Sequence, residues 1–319
     1  MILTPEVLAI FILNIIFAFF AIIAFVLSVK IFLHWNLKSV SQSQYRLEKQ
    51  SYLTATIIKY IFAIKVPLFL FFIFTLDKIS NVITGAMCGA GVVDATPYGT
   101  YLLILKVINL YIFAYWLMLN SVDMRHEDQP YTKLKFGVFI VAFFLLMGEL
   151  ILEGVMFNSI DIDKMVSCCG TIYSSSASSY ISNIFSIDTS VLLFLFYGNF
   201  ALIVLFSLLK NKYLFSIANL FFIIISIISI IVFFGTYIYQ LPTHHCPFCF
   251  LQKDYYYVGY LIYIFLFTGT FYGVIVAFIH SDEKEMKRHC KISLLFNTLL
   301  VLLLSAYPLV YYIKNGVWL

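Results

Sequence analysis

The sequence predicts an all-α, polytopic integral membrane protein of about eight transmembrane helices joined in part by long extracytoplasmic loops. Of 319 residues, 62% are hydrophobic and only 11% charged, and the mean hydropathy of +0.97 lies outside the range of soluble domains. Apolar stretches repeatedly exceed the roughly 20 residues that cross about 30 Å of hydrocarbon, with polar residues punctuating them. A soluble enzyme on a single anchor is excluded. Basic residues sit in alternate loops, so membrane lipid is the expected partner and nucleic acid is not.

The first span, about 6–30, begins at Glu6 with no basic residue before it and stays apolar to about Leu33. That is too long for the apolar part of a cleaved signal peptide, so a retained helix is expected. The second, about 56–76, holds Lys65 beside Pro67, and the third, about 99–120, holds Lys106 and Asn109. The fourth, about 136–154, carries Glu149 and Glu153 near its outer end. Spans five to eight follow at about 190–209, 213–240, 255–279 and 292–313. Gly269 and Gly273 in the seventh form a small-xxx-small pattern, which predicts close helix packing inside the protein. The whole chain, 1–319, reads as one transmembrane domain. A division into four plus four spans would map the Cys88 loop onto the Cys246 loop as equivalent positions, although no repeat period is evident.

Charge sets the expected sidedness. Fourteen basic residues fall in the loops after the odd-numbered spans, among them Arg46, Arg125, Lys210 and Arg288, against four on the other side, Lys78, Lys164, Lys253 and Lys314. The positive-inside rule then puts both termini outside, in what reads as a bacterial cytoplasmic (inner) membrane. Cys88, Cys168, Cys169, Cys246 and Cys249 face outward, and only Cys290 faces the cytoplasm. Two of the outer loops are long: 77–98 contains the run Gly85-Ala-Met-Cys-Gly-Ala-Gly91, and 155–189 is rich in serine. Such lengths predict either a cap over the outer face or flexible connections.

The most specific local signal is His244-His245-Cys246-Pro247-Phe248-Cys249-Phe250-Leu251-Gln252-Lys253. Read as the start of a helix, this C-x-x-C would have one sulfur activated by backbone N–H groups and the helix dipole. The stretch resembles the DsbB family of bacterial disulfide-forming membrane proteins, whose signature is C-x-x-C-x-x-Q-R. Cys246, Cys249, Gln252 and Lys253 match in turn, with lysine for arginine. The Cys-Pro-x-Cys form is similar also to the vitamin K epoxide reductase relatives. The resemblance covers about thirty residues. It implies a thiol:quinone oxidoreductase in which Cys246 and Cys249 pass electrons from an extracytoplasmic thiol protein to quinone. Lys253, next to Gln252, would lie by the quinone; apart from the resemblance, Cys168 and Cys169 are candidates for a relay and Tyr256 for stacking on the quinone ring. Those families use a single four-helix bundle, and neither the vicinal Cys168-Cys169 nor His244-His245 belongs to their pattern.

Other chemistry fits the same residues. Met87, Cys88, His244, His245, Cys246 and Cys249 offer soft sulfur and imidazole ligands for copper or zinc, delivered or collected by a metal chaperone. Vicinal cysteines close a disulfide only with strain, so Cys168 and Cys169 also suit metal transfer. A structural or assembly subunit with bracing disulfides is the third reading, although five outer cysteines leave one over. Tyr255, Tyr256, Tyr257, Tyr260 and Tyr263 follow the motif, as expected of an interfacial aromatic belt.

Intramembrane charge is the second signal, because each such residue costs about 2.5 to 3.5 kcal/mol to insert. Lys106 and Asn109 share a helix face, as do Glu149 and Glu153. An ion pair from Lys106 to Glu149 is expected, with Lys65 apart from it and nearer the inner side. The set would be either a brace or a polar pocket for a proton, ion or quinone head group.

Overall fold

The computed structural model describes residues 4–36, 41–126, 128–162, 165–166, 187–278 and 283–319. Among them the protein is helical with no strand, and eight helices are long and apolar enough to cross a membrane. The expected fold class is therefore observed. Internal contacts cluster into two compact units, residues 1–83 with 92–164 and residues 84–91 with 165–319.

The first unit is a four-helix bundle of α1 (Pro5–His34), α2 (Gln42–Ser80), α4 (Gly99–Asp123) and α5 (Thr132–Ser159). A short helix, α3 (Gly89–Asp94), precedes α4. Around the bundle α1 packs on α2 and α5, and α4 packs on the same two. Thr4 caps α1, its hydroxyl accepting the Val7 N–H, and Pro5 follows where a helix loses no hydrogen bond. Ser41 caps α2 in the same way. That cap explains why α2 begins fourteen residues before the expected span: polar residues end the hydrocarbon-crossing stretch, but a helix keeps its internal backbone bonds in water. At one end of the bundle Lys135 pairs with Asp123 at 2.7 Å, and Trp116 Nε1 donates to the Lys135 carbonyl. Above this, Phe62 stacks on Phe113 at 4.2 Å between centroids.

The second unit repeats the plan with α6 (Thr189–Leu208), α7 (Lys212–Ser229), α9 (Val258–Ile275) and α10 (Glu283–Asn315). Consecutive members pack together, and α10 also meets α6. The sixth span does not stop at Ser229. It passes through a π-helical turn, Ile230–Phe234, into α8 (Gly235–Tyr239). In an uninterrupted α-helix the Gly235 amide would donate to the Ile231 carbonyl. Here it donates to Ile230 instead, the wider loop that defines a π-turn.

Gly269 and Gly273 are packing glycines, as the sequence predicts. A Cβ on Gly269 would stand 2.1 Å from Asn297 Oδ1, and one on Gly273 2.1 Å from Asn219 Cγ. Each glycine thus admits an asparagine from a neighbouring helix. The two amides join: Asn297 Nδ2 donates to Asn219 Oδ1 at 2.8 Å, as does Ser293 Oγ at 3.2 Å. Gly269→Ala is expected to destabilise the protein by about 1–3 kcal/mol through overpacking. Gly198→Ala is the control, since no atom lies within 4 Å of the added carbon. Thermal denaturation in detergent compares them, and equal midpoints would contradict this packing.

Candidate functional site

The second unit gathers three cysteines. Cys88 lies in the 84–91 segment and Cys246 and Cys249 in the loop between α8 and α9. Their sulfurs all lie within 4.8 Å of one another, and those of Cys88 and Cys246 are 3.5 Å apart. The residues are 0%, 1% and 6% exposed. Three thiolates bound to one ion at about 2.3 Å stand about 3.8 Å apart in tetrahedral geometry. The cluster therefore needs only small adjustments to close on a metal.

Aromatic side chains hold the cysteine loop in place. Tyr239, the last residue of α8, donates its hydroxyl to the Cys246 carbonyl and accepts the Phe250 N–H at 3.0 Å. Tyr263, one turn into α9, donates to the Pro247 carbonyl at 2.9 Å. With its backbone satisfied by two phenols, the loop can be buried at little cost. Phe250 is buried against Tyr239 and Tyr263, and it fits because residue 259 is glycine: a Cβ there would be 2.3 Å from the Phe250 ring. The Phe248 N–H points at the Cys246 sulfur at 3.4 Å, a bond that favours the thiolate.

The segment carrying Cys88 is tied to this loop. Gln252 Nε2 donates to the Met87 carbonyl at 3.1 Å. Gly85 takes φ +87°, and a Cβ there would be 2.6 Å from the Val166 carbonyl oxygen, so the turn that delivers Cys88 requires glycine twice over.

Several expectations are corrected. The C-x-x-C does not open a helix: Cys249–Leu251 is a 3₁₀ turn and a second one covers Lys253–Tyr255. Tyr256 and Tyr257 then take positive φ, so α9 starts only at Val258. Activation of a sulfur by the dipole of the seventh span therefore does not apply. His244 and His245 are not part of the sulfur group. His245 Nδ1 donates to the Ile231 carbonyl at 3.0 Å, the carbonyl that the π-turn releases, and burial holds its pKa below the usual histidine range. His244 sits edge-on to Tyr239. The Met87 side chain is 68% exposed and Tyr256 93% exposed, and Lys253 is also exposed, so none of the three shares the buried site. Cys168 and Cys169 lie outside the described residues. Cys290 lies on α10, away from the cluster in sequence and outside the sulfur group.

The first unit holds the second polar centre, and each of its four long helices contributes. Glu149 Oε1 accepts from Lys106 and from Lys65, both at 2.8 Å, and Oε2 accepts from Asn109 at 2.6 Å. Lys106 also pairs with Glu153 at 3.2 Å. Asn14 Nδ2 donates to Glu153 Oε2 at 2.8 Å, and Lys65 reaches Asn14 Oδ1 at 3.5 Å. The Lys106–Glu149 pair is as expected, but Lys65 is not set apart. Its four-carbon stem carries the ammonium to the same carboxylate oxygen. Asn14 was not foreseen, although a lone amide in the apolar α1 is a readable signal.

No family model matches the chain, and neither does any curated protein or solved structure.

Proposed function

We propose that the protein is a membrane metal-handling protein whose second unit binds a soft metal ion through Cys88, Cys246 and Cys249, with monovalent copper as the favoured ion. The observation that carries this is three buried sulfurs, from two separate loops, within 4.8 Å of one another. Thiolates select monovalent copper, zinc and iron–sulfur chemistry. Structural zinc requires a fourth ligand, which the two histidines do not supply, whereas three thiolates satisfy monovalent copper. The positive-inside distribution of lysine and arginine supports an extracytoplasmic site in a bacterial inner membrane. Binding and transfer are non-enzymatic steps in this reading.

A second reading has its own support, the 3.5 Å Cys88–Cys246 separation and the resemblance carried by Cys246 to Lys253. The three thiols would then exchange disulfides internally. Oxidation of a pair releases two electrons and two protons, which a membrane quinone would accept to become quinol. Burial weighs against the first step of such a route, since a partner's thiolate must reach the sulfur it attacks.

The test is anaerobic loading of the reduced, purified protein with copper(I) or zinc, followed by removal of unbound metal and alkylation mapped by mass spectrometry. The expected result is about one equivalent of retained copper per chain, with Cys88, Cys246 and Cys249 protected together and Cys290 labelled as before. Labelling of all three at the same rate with and without metal would overturn the proposal. Quinone-dependent loss of labelling with no metal added would establish the second reading in its place.

A further inference from the structure

We propose that the charge ring of the first unit is a proton-exchange site inside the membrane bundle, with Glu153 as the group that takes up the proton. Starting from Lys65, the contacts run through Glu149, Lys106, Glu153 and Asn14 and back to Lys65. Two ammoniums and two carboxylates leave the closed ring neutral. A brace needs only one such pair, and every additional buried charge adds desolvation that its partners barely offset. A four-charge ring therefore calls for a role besides packing.

The second observation is space. Lys65, Lys106, Glu149 and Glu153 all border one cavity of about 10 Å³, whose remaining wall is apolar and includes Phe72 and Phe113. That is room for about one water. A brace closes over its charges, whereas here a water-sized gap touches every member that can gain or lose a proton. No other ionisable side chain lines the gap among the described residues. From α1 the ring is faced by Asn14, from α2 by Lys65, from α4 by Lys106 and Asn109, and from α5 by the two glutamates.

The two carboxylates are not equivalent. Glu149 accepts from two ammoniums and one amide, whereas Glu153 accepts from one ammonium, at the longer distance of 3.2 Å, and one amide. Glu153 is therefore the less tightly held of the two carboxylates. Asn14 can answer either state, because its amide presents N–H donors to a carboxylate and, turned over, an oxygen to a carboxylic O–H. Uptake changes the ring from neutral to a single positive charge, and release restores it.

The experiment uses the full chain in lipid vesicles treated with dicyclohexylcarbodiimide, an apolar reagent that adds to protonated carboxyls, with peptides mapped by mass spectrometry across a pH series. Labelling of Glu153 is expected to rise about tenfold per unit of falling pH while most of the carboxyl stays ionised, with Glu149 unlabelled. Infrared difference spectra should show a carboxylic C=O band that Glu153→Gln removes. Absence of Glu153 labelling at every pH, or labelling independent of pH, would mark the ring as a brace only and overturn the proposal. So would a band that survives Glu153→Gln. The labelling needs no variant, so it decides the matter even if the glutamine impairs folding.

Discussion

Replacing Cys246 with serine is expected to lower retained copper(I) from about one equivalent to below a tenth of that, an affinity loss of about 100-fold or more, or roughly 3 kcal/mol. The sulfur at risk lies 3.5 Å from that of Cys88 and is the one to which the Phe248 amide points. A serine hydroxyl is a hard, protonated ligand in a buried aromatic pocket and replaces neither function. The pattern across the single variants separates the two chemistries. If all three sulfurs bind one ion, Cys88→Ser, Cys246→Ser and Cys249→Ser cause comparable losses, read by metal analysis after gel filtration under anaerobic conditions. If the site works by disulfide exchange, Cys88→Ser spares a Cys246–Cys249 bond and Cys246→Ser leaves Cys88 with Cys249, within 4.8 Å, so each single variant retains a different pair that peptide mapping would identify. Unchanged copper retention in Cys246→Ser would sink the metal reading outright.

The second large effect is on stability. Glu149→Leu is expected to cost about 3–5 kcal/mol, because it leaves two buried ammoniums facing the single carboxylate of Glu153. For a unit of this size the loss corresponds to a fall of roughly 6–20 °C in the midpoint of thermal denaturation. Lys65→Met placed on top of Glu149→Leu removes the surplus charge and leaves Lys106 with Glu153, so the double variant should be more stable than Glu149→Leu alone. High salt should rescue neither, since dissolved ions screen buried pairs far less than exposed ones. Additive losses in the double variant would mean that cavity formation, not charge matching, controls the effect.

Much of the scaffold was readable in the amino-acid order. Hydropathy marks lengths of chain that must cross lipid, and that requirement is local, so all eight spans emerged with only their ends displaced. Gly269 and Gly273 were readable for the same reason, a spacing along one helix that permits one kind of contact. The helix face shared by Glu149 and Glu153 was legible, and depth along the span then paired Lys106 with Glu149. Lys65 was misplaced because depth measured at the Cα ignores the reach of a long flexible side chain. The meeting of Cys88 with Cys246 spans 158 residues and follows from how the loops fold back, which no local pattern encodes. Nor could sequence show that His245 serves a backbone carbonyl, because the carbonyl is available only through a π-turn in an otherwise ordinary apolar helix.

That π-turn has a consequence for the length of the chain rather than its chemistry. Each residue added to or taken from a helix swings everything beyond it by about 100° around the axis. Losing any single residue between 230 and 234 would let the sixth span rewind into an unbroken spiral. That swing is cancelled here, because Gly235 would then stand four residues from Ile230 and keep its bond as an α-helical one, and Tyr239 would hold its bearing on the loop it steadies. The sixth span thus carries one residue more than an unbroken helix of the same phase would need, and the wider turn takes it up without turning the support of the thiol pocket aside.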